Sequence, residues 1–309
     1  NGINVQAGIL TAKNIIDATD AQGNTRVGSA AGDSFDGTNA THNTLIGKNS
    51  GTAITGGDGN TVVGSECGGA FTTAGSNVAI GYLCYNTATT ANSGVAVGVN
   101  AMRLTTTGSY NVAVGQESLY ANTTGASNVS IGYQALDANT TASHNTAIGR
   151  AALGANTTGA QNTALGAYAL DANTTADSNT AVGYYALSAN TTGTENTGCG
   201  KGALANQTTA DYNTAFGTNA GNQITTGDHN TAIGKGAMDA NTVGDRNTAV
   251  GSNALTTYNP SGNEDGYNTA IGMNCMFSTT TGNNNTAVGG KALEDNTTGA
   301  NNTAIGSYA

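Results

Sequence analysis

The chain has 309 residues, of which 46 are glycine, 1 is proline and none is tryptophan, and only 9% are charged. Low charge argues against the usual disordered chain. The 37% apolar share is mostly small residues, which suit a thin core repeated many times better than one large round core. A net charge of −10 with only 9 Lys+Arg leaves no clustered cations for nucleic acid or an anionic membrane surface, and no apolar run approaches the ~20 residues that span a bilayer.

Residues 1–40 read as an N-terminal linker or capping segment. They carry no signal-like stretch, and the chain ends partway through a repeat, so the sequence reads as a processed or trimmed piece of something longer. Gly28, in Asn24-Thr-Arg-Val-Gly28, is an irregular first member of a glycine series. The regular series runs from Gly47 to Gly251 in steps of 17, and resumes at Gly272, Gly289 and Gly306 after one step of 21. A short fixed period is the signature of a solenoid. Helical repeats need more than thirty residues per unit, whereas each unit here holds a short β-type phrase, a small-residue stretch and a Gly/Asn/Thr turn. The spacing predicts an all-β fold: a parallel β-solenoid, or β-roll, over residues 41–309. One coil is expected per 17 residues, with a four-residue insertion between Gly251 and Gly272.

Within a coil, the residue before the anchor glycine is apolar (Ile46, Val63, Ile80, Val97 and so on), and two residues earlier sits Thr or Val. In a strand these two positions share one face, while the Ala between them points the other way. The β-branched face lies either inside the coil or against another chain, because a solvated ladder of this kind is an aggregation hazard. Ala and Leu suffice to fill a coil this small, which would leave the Val/Ile face for a symmetric homo-oligomer. Asn recurs four residues before the anchor in every regular coil except at Gly94. Stacked Asn residues form amide ladders, and Asn also bonds its own turn. The anchor glycine marks a conformation or a close approach that a Cβ forbids. Four residues after the anchor, a second apolar column (Met102, Leu119, Leu136, Leu153) reads as a second strand or a corner. Asn-Thr-Thr-Gly or Asn-Thr-Thr-Ala turns follow, and their alternation suggests a genetic unit of two coils.

The phrases Ser76-Asn-Val-Ala-Ile-Gly81, Tyr110-Asn-Val-Ala-Val-Gly115 and Ser127-Asn-Val-Ser-Ile-Gly132 resemble the head repeats of trimeric autotransporter adhesins. That resemblance implies a left-handed β-roll, a homotrimer and a Val/Ile face turned to the trimer centre. The repeat of 17 is longer than the family's usual one. The stretch Ile3 to Ile16 resembles linker segments of phage tail-fibre and structural proteins. Together these resemblances favour a structural shaft of a virion fibre that spaces or presents host-attachment elements, extracellular on the virion surface. A trimeric adhesin head on a bacterial outer surface is the alternative. An extracellular filament, an ice-binding solenoid and a polysaccharide-degrading tailspike rank below these.

Candidate chemistry is sparse. His42, His144 and His229 occupy a variable slot five before the anchor and make no triad or metal site. Cys67, Cys84 and Cys275 take the small slot and Cys199 the apolar one. All four read as small buried hydrophobes, although Cys67 and Cys84 stack on adjacent coils within reach of a disulfide. Asp137 and Asp171 lie two coils apart, too far to share an ion. Glycosidase chemistry wants paired carboxylates about 5–10 Å apart, and no convincing pair is present, so no enzyme, cofactor or metal is expected. The insertion should protrude as a loop, with Tyr258, Glu264, Asp265 and Tyr267 as candidate contacts for a surface glycan, a receptor, or another virion or surface-assembly protein. Tyr133, Tyr168, Tyr184 and Tyr185 are weaker candidates for sugar stacking.

Overall fold

The computed structural model describes residues 20–35 and 39–309. The tail-fibre-like segment at 3–16, and most of the expected linker, lie outside the described residues. The described residues fall into two compact units, divided between residues 145 and 146. Among the described residues there is no helix, and therefore none long and apolar enough to cross a membrane.

In the first unit, seven three-residue strands stack in parallel: β1 (Thr25–Val27), β2 (Thr44–Ile46), β3 (Thr61–Val63), β4 (Val78–Ile80), β5 (Val95–Val97), β6 (Val112–Val114) and β7 (Val129–Ile131). Each of β1 to β6 pairs in register with the strand of the next coil, as Val78 pairs with Val95 and Ile80 with Val97. β1 pairs with β2, so the ladder already includes residues 25–27 and begins upstream of residue 41. The second unit repeats the arrangement with β8 (Thr146–Ile148), β9 (Thr163–Leu165), β10 (Thr180–Val182), β11 (Thr197–Cys199), β12 (Thr214–Phe216), β13 (Thr231–Ile233), β14 (Thr248–Val250), β15 (Thr269–Ile271), β16 (Thr286–Val288) and β17 (Thr303–Ile305). Register holds across the insertion, where Thr248 pairs with Thr269. Both units are thus parallel β-solenoids with one coil per repeat.

Strand burial settles which face is which. In β4 to β15 the middle residue is buried and its two neighbours are half-buried or exposed. Ala therefore points into the coil, and the Thr/Val and Ile/Val columns point out. The interior is completed by Leu119, Leu136, Leu153, Leu170, Leu187 and Leu204, all fully buried.

These leucines sit at corners rather than in a second strand, with left-handed backbone: φ is +53° at Leu119 and +52° at Leu204. Left-handed backbone costs an L-residue about 1–2 kcal/mol, and burying a leucine returns about 1.5–3 kcal/mol. Inter-coil backbone bonds continue through the corner. Leu119 N donates to Ala135 O at 2.9 Å, and Glu117 N donates to Val99 O at 3.0 Å. Where the corner residue is glycine, an apolar side chain three residues later takes over the space: Ile54 after Gly51, Phe71 after Gly68, Ile224 after Gly221. Where it is leucine, that later position is usually Asn, as in Leu136 and Asn139.

The Asn column is a buried ladder. Asn213 N donates to Asn196 Oδ1 at 2.8 Å, and Asn196 Nδ2 donates to Ala210 O at 2.8 Å. A second Asn column closes the Thr-Thr turns: Asn139 Nδ2 donates to Ala142 O at 3.1 Å and to Asn122 Oδ1 at 3.0 Å. The anchor glycine meets both expectations made of it. Gly183 has φ +134°, and a Cβ there would lie 2.6 Å from Gly200 O. In one pair of adjacent coils two Ala slots become Ser118 and Ser130, whose hydroxyls bond each other at 2.7 Å, which satisfies both inside the coil.

Candidate functional site

Two kinds of surface stand out: the outward strand face, and the cluster around the insertion. On the strand face, Ile46, Ile80, Ile131, Leu165, Phe216, Ile233 and Ile271 are 38–45% exposed. The column of Thr or Val beside them is half-buried in most rungs. The composition differs along the chain. β4 to β7 carry Val at the first position, whereas β8 to β17 carry Thr throughout.

At the insertion, Tyr258 is not at the surface. Its ring is buried, occupying the interior position that Ile54 and Ile224 hold in other coils, and its hydroxyl donates to Asn283 Oδ1 at 2.8 Å. Burial, with the negative charges of Glu264 and Asp245, pushes its pKa up to about 12. Asn259 takes the next turn position, where its Oδ1 accepts from the Thr242 hydroxyl at 2.6 Å. The ladder re-forms as Asp245 N donates to Glu264 O at 3.0 Å. The excursion is thereby confined to a few residues after Pro260. Glu264, Asp265 and Tyr267 are exposed. Asp265 is ion-paired with Arg246 and accepts from the Tyr267 hydroxyl at 3.0 Å, and the Arg246 guanidinium lies 6.0 Å from the Tyr267 ring centre. The hydrogen bond to Asp265 raises the Tyr267 pKa.

His42, His144 and His229 are all exposed, on separate coils. His229 stacks on Tyr212 of the preceding coil, with ring centres 4.8 Å apart and planes 5° from parallel. Tyr168, Tyr184 and Tyr185 form a second stack. Tyr168 and Tyr185 lie nearly parallel at 5.0 Å, Tyr184 abuts Tyr185 edge-on at 4.3 Å, and Arg150 covers the Tyr168 ring at 5.5 Å. Tyr184 and Tyr185 remain exposed within this stack. Tyr133 is exposed.

Cys67 and Cys84 are buried free thiols and no disulfide joins them. Hydrogen bonding to the Cys84 thiol, and burial, push the Cys67 pKa up. Cys275 is buried, and only Cys199 is partly exposed. Burial raises the pKa of Asp137 and Asp171. Among the described residues no group of His, Cys, Asp or Glu is placed to hold a metal ion.

One role escaped the sequence reading. Asp177, Asp211, Asp228 and Asp245 each accept the backbone N–H of the residue 17 before, at 2.6–2.7 Å. Their 17-residue spacing was the available signal: polar residues recur six before the anchor, and their oxygens cap an amide that no strand partner reaches.

No protein-family model matches the sequence, and no curated protein matches it.

Proposed function

We propose that this chain is a structural, non-enzymatic shaft segment of a virion fibre, like a phage tail fibre, whose copies associate as a homotrimer and space or present host-attachment elements outside the cell. One observation carries the reading. In each unit the coils satisfy their interior with Ala, Leu and an Asn ladder, yet leave an uncharged, mostly β-branched column outside. An exposed apolar column of this length marks an interaction surface, and identical copies are the simplest partner for an identical repeat. The Val-Ala-Ile-Gly phrases at 78–81 support the same reading, and equally support a trimeric adhesin head on a bacterial surface. The exposed Glu264, Asp265 and Tyr267 are the residues we assign to glycan or protein contact.

Immunogold labelling of purified virions tests the location. Label on projecting fibres is expected; label confined to the envelope of uninfected bacteria would replace the virion reading with the adhesin one. Incubation with host-envelope polysaccharide tests the absence of turnover, and released oligosaccharide would overturn the structural assignment.

A further inference from the structure

Charge in the second unit is sorted to the two sides of the outward strand face. The acids lie before the strands. Asp177, Glu195, Asp211, Asp228 and Asp245 stand five or six positions before the anchor glycines of β10 to β14. Arg246, the one Lys or Arg at those positions in β8 to β17, is ion-paired with Asp265. The bases lie after the strands. Arg150, Lys201, Lys235 and Lys291 stand one or two positions after the anchors of β8, β11, β13 and β16, and no Asp or Glu takes either position in any coil from β8 to β17. Between these margins, the twenty outward positions of β8 to β17 carry no charge.

Each margin is a column held from rung to rung. His229 N donates to Asp211 O at 3.1 Å before the strand, and Asn219 N donates to Lys201 O at 2.9 Å after it. Asp211, Asp228 and Asp245 are pinned by the backbone amides they accept. Glu195, Lys201 and Lys235 are exposed, and among the described residues neither lysine makes an ion pair within the chain.

This sorting treats the two ways of pairing copies unequally. Rotation about an axis parallel to the stack of coils, as in a cyclic dimer or trimer, brings the margin after the strand of one copy to the margin before the strand of its neighbour. Base then meets acid. A two-fold axis across the stack makes the copies antiparallel and brings each margin to its own counterpart. Acid then meets acid, and base meets base. Like charges set against each other penalise that arrangement.

We propose that the charged margins of the second unit make ion pairs between copies and thereby fix the direction of association, so that all copies point the same way. Lys201 and Glu195 flank one strand, β11, and Lys235 and Asp228 flank another, β13. A rotation without axial shift therefore sets Lys201 level with Glu195 of the neighbouring copy, and Lys235 level with its Asp228. A one-coil shift leaves Lys201 level with Asp177 or Asp211, so the margins select direction and not register. The occupant of the face is a second copy of this chain, whose margins are complementary to each other, and the inference rests on the association described under Proposed function.

Energy transfer between labelled chains reads the direction. In a Cys199→Val background, donor-labelled and acceptor-labelled chains carry the label at Gln161→Cys, or at Ser307→Cys, and are refolded together. The two sites are eight rungs apart, about 38 Å at a spacing of about 4.8 Å. Transfer should be efficient at both sites when copies point the same way. Antiparallel copies cannot bring both sites close, so low transfer at either site in an intact oligomer would overturn the inference. Charge reversal reads the cause. Lys201→Glu should weaken association several-fold in sedimentation, and adding Glu195→Lys should restore it, because the pair is then reversed in every copy. An unchanged affinity in Lys201→Glu, or a double variant in which the two losses accumulate, would overturn the pairing. Should Lys201→Glu fail to fold by circular dichroism, Lys235→Glu serves in its place: a several-fold loss is expected, and an unchanged affinity would overturn the pairing. A monomeric unsubstituted chain would instead overturn the association itself.

Discussion

Tyr85 fills the space that residue 94 leaves empty. A Cβ on Gly94 would lie 2.6 Å from the Tyr85 hydroxyl oxygen. The ring is fully buried and packs edge-on to Phe71, with centres 5.2 Å apart. The one break in the Asn column thus compensates for the one tyrosine at a leucine corner, and Gly94 N still donates to Asn77 Oδ1 at 2.8 Å.

The pair should behave as a unit. Gly94→Asn alone overpacks the coil and should cost about 1–3 kcal/mol. Tyr85→Leu alone opens a cavity of similar cost. Together they restore the pattern of the neighbouring coils, so a double-mutant cycle by chemical denaturation should give a favourable coupling of about 1–3 kcal/mol. Additive losses would refute the compensation.

The Asn ladder makes a sharper demand on stability. Asn196→Ala removes the acceptor for Asn213 N and the donor to Ala210 O, both in buried surroundings. Leaving each unpaired costs about 1–3 kcal/mol, so a loss of about 2–5 kcal/mol in urea unfolding is expected. Thr209→Ala, at an exposed turn position, should change stability by no more than ~0.5 kcal/mol.

Acidity should help some sites. Burial raises the folded pKa of Asp137 and Asp171, and Asp171 Oδ1 is buried without a hydrogen-bond partner. The folded state then holds these protons to higher pH than the unfolded chain. Their contribution to stability falls as pH rises from the ordinary carboxylate value through the raised one. Asp171→Asn should therefore raise the melting temperature at pH 7, and the gain should shrink towards pH 4. A gain that grows on acidification would reverse the assignment.

Thiol chemistry separates the four cysteines. In the native chain only Cys199 should react with a maleimide, and self-association should slow it. Cys67, Cys84 and Cys275 are buried and should react only after denaturation, when four thiols should titrate. Two titrating thiols would mean that Cys67 and Cys84 are bridged.

Periodicity carried most of the fold. The 17-residue spacing placed each strand triplet, and the Thr-Ala-Ile alternation separated its two faces. The ladder was legible because Asn recurs where a coil must satisfy buried amides. Corner geometry was not legible, since leucine ordinarily avoids positive φ and recurrence alone does not report backbone handedness. Tyr258 was misplaced because it sits beside the proline and the inserted residues. Counted from Gly251, however, it holds the position of Ile54 from Gly47 and Ile224 from Gly217, and that offset would have put it inside. The outward face was left open between coil interior and partner surface, because a single coil's sequence does not say which of two apolar faces encloses the smaller volume. The aspartate caps were missed because aspartate, serine, threonine and asparagine share that column, which blurs the pattern.

Sedimentation equilibrium at micromolar concentration tests self-association through the outward face most directly. A species of three times the 30.4 kDa chain mass is expected, dissociating when outward residues such as Val95 and Val112 are changed to Lys. A stable monomer at that concentration, folded by circular dichroism, would contradict it.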